Sequence, residues 1–187
     1  MPIDNDIQRE LQALVRGGFD DRDSILEILT EEMDELGELD AEDLKLALAA
    51  AIQTHEKSKA GWPQTTDCDR LDAAFDELGQ RGIITLQNAG YTQSDGYSDV
   101  ISDYYEAADP SLFFGYCFFH GQDLARAIDG GGLFLAFGPL DASKEGSDGL
   151  RVGNLVADEL RRAGFEVCWD GTFDQRIHLP AFDWKRR

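Results

Sequence analysis

The stretch Gln87–Tyr97 (QNAGYTQSDGY) places side-chain amides, hydroxyls, a carboxylate and two aromatic rings within eleven residues. Such groups hydrogen-bond to and stack on a small ligand. The segment follows the apolar run Ile83–Leu86 and precedes a helical pattern. In open α/β sheets, ligands bind where a strand ends and a helix begins. The plainer alternative is a long loop whose polar groups satisfy its own backbone and cap the next helix. A second candidate, His120, stands at the end of the apolar run Leu112–Phe119, just before Gly121-Gln122-Asp123. As a site residue it would be a general base with Asp123 as its orienter. As a structural residue it is a hydrogen-bonded histidine, with Asp123 an acid in a helix's first turn, where the dipole favours it. From the two segments the candidate binding residues are Asn88, Tyr91, Gln93, Ser94, Asp95, His120, Gln122 and Asp123. If the two strands are parallel neighbours, the segments share one sheet edge, with His120 near Tyr91 or Ser94. Unpaired peptide N–H groups at the start of the helix from Gln122 would then favour an anion there.

Other motifs point away from common chemistries. Cys68, Cys117 and Cys168 form no C-x-x-C pair, and the three histidines have no metal-ligand spacing, so no metal and no cofactor are expected. Cys117 lies three residues before His120, an odd offset that puts them on opposite faces of a strand. Asp67, Asp69 and Asp72 lack the glycine and terminal glutamate of a calcium loop. Gly130–Gly132 follows a helix and opens a strand, the reverse of a phosphate cradle, and reads as a helix stop.

Charge is the largest compositional signal. The chain has 37 acids and 17 Lys plus Arg, for a net charge of −20 over 187 residues. Such a field repels phosphate polyanions, so direct nucleic-acid binding is not expected and a basic protein partner is favoured. Solubility or a salt-adapted host is the simpler reason for it. No apolar run approaches the ~18 residues of a membrane span. The opening MPIDNDIQRE lacks the basic and apolar regions of a secretory signal. Few cysteines, odd in number, fit a reducing cytoplasm.

The elements that would position the candidates change character near Gly61. Residues 1–60 read as a helical extension. Its stripes are Ile3, Ile7, Leu11, Leu14 and Val15, then Ile25, Ile28, Leu29, Met33 and Leu36 to a stop at Gly37. A third helix, capped by Asp40, runs through Leu44, Leu48 and Ile52. Gly61-Trp62-Pro63 marks a seam. Residues 61–187 read as an α+β core domain. A helix through Leu71 and Leu78 precedes strands at Ile83–Leu86, Leu112–Phe119 and Leu133–Phe137, with helices between them. A hairpin of Phe165–Trp169 and Phe173–Leu179 turns at Asp170-Gly171. The expected fold is α+β: a mixed sheet of about five strands with packed helices.

Several segments also carry a likeness: GWP at 61–63 with TDCDRLD at 66–72, the loop from Gln87 to Gly96, GYCFFHGQDL at 115–124, and WDGT at 169–172 with Arg176-Ile177 and Asp183-Trp184. Over about residues 8–187 the chain resembles an uncharacterised bacterial family of soluble proteins, a domain of unknown function. The resemblance implies a bacterial cytoplasmic setting and brings no activity or catalytic residue. Two functional readings follow. One is a non-enzymatic acidic binding or regulatory protein, such as an inhibitor of a basic nuclease or toxin. The other is a small-molecule-binding protein or small enzyme whose cleft is formed by the 87–97 loop and His120.

Overall fold

The computed structural model describes residues 5–36 and 41–187, without the side chains of 32–36. Ile3, Gly37 and Asp40, and the side chains of Met33 and Leu36, lie outside the described residues. The chain divides into two compact units, Met1–Thr66 with Lys185–Arg187, and Asp67–Trp184.

In the first unit are helices α1 (Asn5–Gly17), α2 (Arg22–Leu36) and α3 (Ala41–Lys59). Their apolar stripes meet in one core of Ile7, Leu11, Val15, Ile25, Leu29, Leu44, Leu48 and Ala51. Helix α2 is opened by the Asp21 carboxylate, which accepts from the Ser24 N–H at 2.8 Å. The C-terminal residues belong to this unit: the Arg186 guanidinium lies 4.5 Å from the Phe19 ring centre, and Arg187 donates to the Pro63 carbonyl.

The second unit is α+β. It runs α4 (Asp67–Gln80), β1 (Ile83–Leu86), α5 (Gln93–Glu106), β2 (Gly115–Phe118), α6 (Gly121–Ile128), β3 (Leu133–Pro139), α7 (Glu145–Arg162) and β4 (Ile177–Leu179). Gly82, at φ 84°, turns the chain from α4 into β1, whose β-branched residues suit a pleated, buried surface. The four strands lie in the order β1-β2-β3-β4. β1 and β2 are parallel, joined across α5, whereas β2–β3 and β3–β4 are antiparallel. Side-chain alternation assigns the two faces. One bears Ile84, Phe118 and Ala136, packed with Val100 of α5. The other bears Ile83, Cys117, Leu135 and Ile177, all fully buried, on the side where α4 and α7 pack.

The sheet has four strands rather than about five. Of the expected hairpin, only β4 and a single bridge between Cys168 and His178 form. The turn is closed by side chains instead of a ladder. The Asp170 carboxylate accepts from the Thr172 N–H (2.9 Å) and hydroxyl (2.8 Å), and Trp169 Nε1 donates to the Thr172 carbonyl at 2.9 Å. Phe173 then leaves the strand path to meet Phe137, ring centres 5.8 Å apart. Among the described residues no helix is long and apolar enough to cross a membrane.

Close approach of α5 to the sheet depends on a missing side chain. A Cβ on Gly96 would stand 2.4 Å from the Phe118 ring and 2.8 Å from the Ala89 carbonyl. Gly96→Ala should therefore destabilise by about 1–3 kcal/mol through overpacking. Gly79→Ala, in a helix with nothing within 4 Å of the new methyl, should be neutral or stabilising by up to about 1 kcal/mol. Urea denaturation of the two variants checks this, and an unaffected Gly96→Ala protein would contradict the packing described.

Candidate functional site

The carboxyl ends of the parallel strands β1 and β2 continue as two zipped loops. Ala89 N–H donates to the Phe119 carbonyl (2.9 Å), Gly121 N–H to Gly90 (2.9 Å) and Gln122 N–H to Tyr91 (3.3 Å). The Gln87–Tyr97 loop and the His120 segment therefore lie side by side. The same bonds correct one expectation. The first two N–H groups of α6 are taken by loop carbonyls, so they are not a free anion cradle.

Each loop opens its helix with an acid at the third helical position, but only one of them has a side-chain cap. Thr92 caps α5, and the Asp95 carboxylate receives the Thr92 N–H (2.9 Å) and hydroxyl (2.8 Å), a capping box. These bonds hold the exposed Asp95 carboxyl below the usual carboxylate range. At α6 the corresponding residues are His120 and Asp123. The His120 N–H lies 3.5 Å from Asp123 Oδ2, a long contact. A histidine has replaced the hydroxyl residue, and both side chains are buried, His120 at 4% and Asp123 at 1% exposure.

A buried carboxylate needs a countercharge. Arg176, 53 residues on and just before β4, provides it: Nη1 lies 3.0 Å from Asp123 Oδ1 and 2.9 Å from Oδ2. The same nitrogen is 3.2 Å from His120 Nε2, which is itself 3.0 Å from Asp123 Oδ2. A lone pair on Nε2 facing the carboxylate would be repelled, so the geometry assigns the proton to Nε2, donating to Asp123. Nδ1 is then a buried acceptor without a hydrogen-bond partner.

Arg176 also lines a cleft of about 470 Å³. Its floor comes from β2 and β3: Tyr116, Phe134, Ala136 and Phe137. Its rim is Gln93 at the start of α5, Glu145 at the start of α7, and Phe173, Asp174 and Gln175 from the segment before β4. The Tyr116 ring lies across Gly138, its cross-strand partner, where a Cβ would come 2.7 Å from the phenol oxygen. Burial, with Tyr97 and Glu145 nearby, pushes the Tyr116 phenol up to about 12, so it stays a hydrogen-bond donor. Phe134 is stacked on His178 at 4.0 Å and carries the Arg176 guanidinium 5.1 Å from its ring centre.

Of the eight residues expected at a site, Gln93 lines this cleft. Asp123 stands behind Arg176 and holds it, and His120 donates to Asp123. Asp95 caps α5. Tyr91, Ser94 and Gln122 are exposed, and Asn88, half-buried, occupies the left-handed region at φ 51° in the turn after β1. Sequence reasoning missed Tyr116, Phe134, Glu145, Phe173, Asp174, Gln175 and Arg176. The one available signal was Arg176, which falls in a segment that carries the family likeness, although its partner is not readable there. Cys117 is fully buried and its thiol is pushed up by burial. Among the described residues no three His, Cys, Asp or Glu side chains gather as a metal site.

The His120 environment has a pH signature. Its pKa lies below the ordinary 6.5, because burial, and then the Arg176 charge, outweigh the opposing Asp123 carboxylate and Tyr91 carbonyl. A depressed histidine pKa means the unfolded chain binds this proton more readily. The neutral ring's contribution is thus complete above pH 6.5 and is lost as pH falls below it. Ring-proton NMR, with the resonance assigned through His120→Asn, should give a midpoint below 6.5. A midpoint above 6.5 would show that the Asp123 carboxylate outweighs burial and the Arg176 charge, and would contradict this direction.

No curated protein and no solved structure matches the chain. The family model described as a domain of unknown function, DUF6891, matches residues 2–187, nearly the whole length, and the chain belongs to that family.

Proposed function

We propose that the α+β unit binds a small molecule in the cleft between the start of α5 and the segment before β4. The supporting observation is Arg176. A partly exposed guanidinium on the cleft wall is held from behind by a buried aspartate, which a buried histidine braces in turn. Fixing a polar group through buried partners is how proteins pre-organise a binding group. At about 470 Å³ the cleft is within the roughly 300–1,000 Å³ of ligand pockets. Its lining offers aromatic surface, amides, carboxylates and a phenol, the components of recognition.

A second reading rests on the −20 charge. It is an acidic regulatory protein that docks a basic partner, such as a nuclease or toxin it inhibits. A bacterial cytoplasmic setting suits both readings, and the three cysteines are free thiols.

A fragment library screened by ¹H–¹⁵N NMR separates them. We expect hits that shift the amides of Gln93, Tyr116 and 173–176 and that disappear in Gln93→Trp, which fills the rim from an exposed position. Hits scattered elsewhere, or untouched by Gln93→Trp, would contradict the cleft. Salt-sensitive capture of a basic host protein, equal in the wild type and Gln93→Trp, would put the second reading first.

A further inference from the structure

We propose that the cleft accepts a neutral, planar nitrogen heterocycle that turns two adjacent acceptors toward Arg176, as the edge of guanine does; this rests on the cleft reading above. The inference begins with how Arg176 is used. Its bonds to Asp123 both run through Nη1, the nitrogen that also lies 3.2 Å from His120 Nε2. Nε and Nη2 have no protein partner among the described residues, which leaves an N–H pair on one edge of a pinned guanidinium. A planar donor pair fits two coplanar acceptors, and the O6 and N7 atoms of guanine are such a pair.

The charge of the ligand follows from the surroundings. Asp123 already neutralises Arg176, and Glu145 and Asp174 stand exposed on the rim. An anion gains little from the guanidinium and meets both carboxylates, so a phosphate is disfavoured. Those carboxylates are acceptors suited to ring and exocyclic N–H groups, which guanine presents on the edge next to O6. Tyr116 and Phe173 supply aromatic surface for a flat ring. Adenine keeps N7 but puts an N–H donor where guanine has O6, and would face Arg176 donor to donor.

The test titrates guanosine, adenosine and guanosine monophosphate into the ¹⁵N-labelled full chain. Guanosine should shift the amides of Tyr116 and 173–176 saturably, adenosine should bind at least about tenfold more weakly, and the monophosphate no more tightly than guanosine. Arg176→Lys keeps the countercharge to Asp123 but loses the planar pair, and should weaken guanosine at least about tenfold. If that variant fails to fold, Glu145→Gln at an exposed position decides, with weaker guanosine binding expected. Adenosine equal to guanosine, or a tighter monophosphate, overturns the ligand class and leaves the cleft standing. Cleft-binding fragments with no nucleoside response likewise overturn the class alone. Silence of those amides to every probe, fragments included, overturns the cleft as well.

Discussion

Asp123 is a carboxylate with 1% of its surface exposed, and the geometry of the α+β unit follows from meeting its charge. An isolated buried carboxylate costs several kcal/mol, on the order of its desolvation, and would take up a proton rather than remain ionised. Here it receives bonds from Arg176 Nη1 and from His120 Nε2. Two segments distant in sequence are thereby tied at one point: the junction of β2 with α6 and the approach to β4. The unpartnered Nδ1 of His120 is the cost of the arrangement, because the ring is oriented by its other nitrogen.

Fixing Arg176 also fixes its neighbours. Phe173, Asp174 and Gln175 belong to a segment that makes no strand ladder, since the Asp170 side chain closes the preceding turn. The segment is positioned at one end by Phe173 against Phe137 and at the other by Arg176 on Asp123. It forms one side of the cleft. The floor is set separately, by the register that places Tyr116 opposite Gly138 and leaves room for the phenol ring. Ordinary packing thus supplies the aromatic surface, while one ion pair supplies the polar edge.

Much of the fold was legible because it is written in local periodicity. The stripes of α1 and α4, the β-branched β1 and the apolar β2 and β3 each announce themselves over a few residues. The zipping of the Gln87–Tyr97 loop onto the His120 segment was also within reach, since a helix between two strands implies a parallel neighbour. What failed was non-local or depended on side chains that override backbone pattern. The hairpin looked sound by its Asp-Gly turn, yet Asp170 and Trp169 bond to Thr172 and divert the chain after one bridge. His120 and Asp123 were picked out for a possible proton transfer, and they stand instead behind an arginine 53 residues away. Tyr116 sat inside an apolar run and read as part of a central strand, although it lines the cleft.

The central claim is that Arg176 is where it is because Asp123 is buried and charged. A double-mutant cycle with Asp123→Asn and Arg176→Met, read by urea denaturation, tests that most directly. The account predicts that Arg176→Met alone costs about 3–5 kcal/mol, because the carboxylate is left unpaired. It predicts that most of this loss disappears when Asp123 is already Asn, giving a coupling of about 2 kcal/mol or more. Single losses that simply add, within about 0.5 kcal/mol, would show that the two residues do not depend on each other and would contradict it.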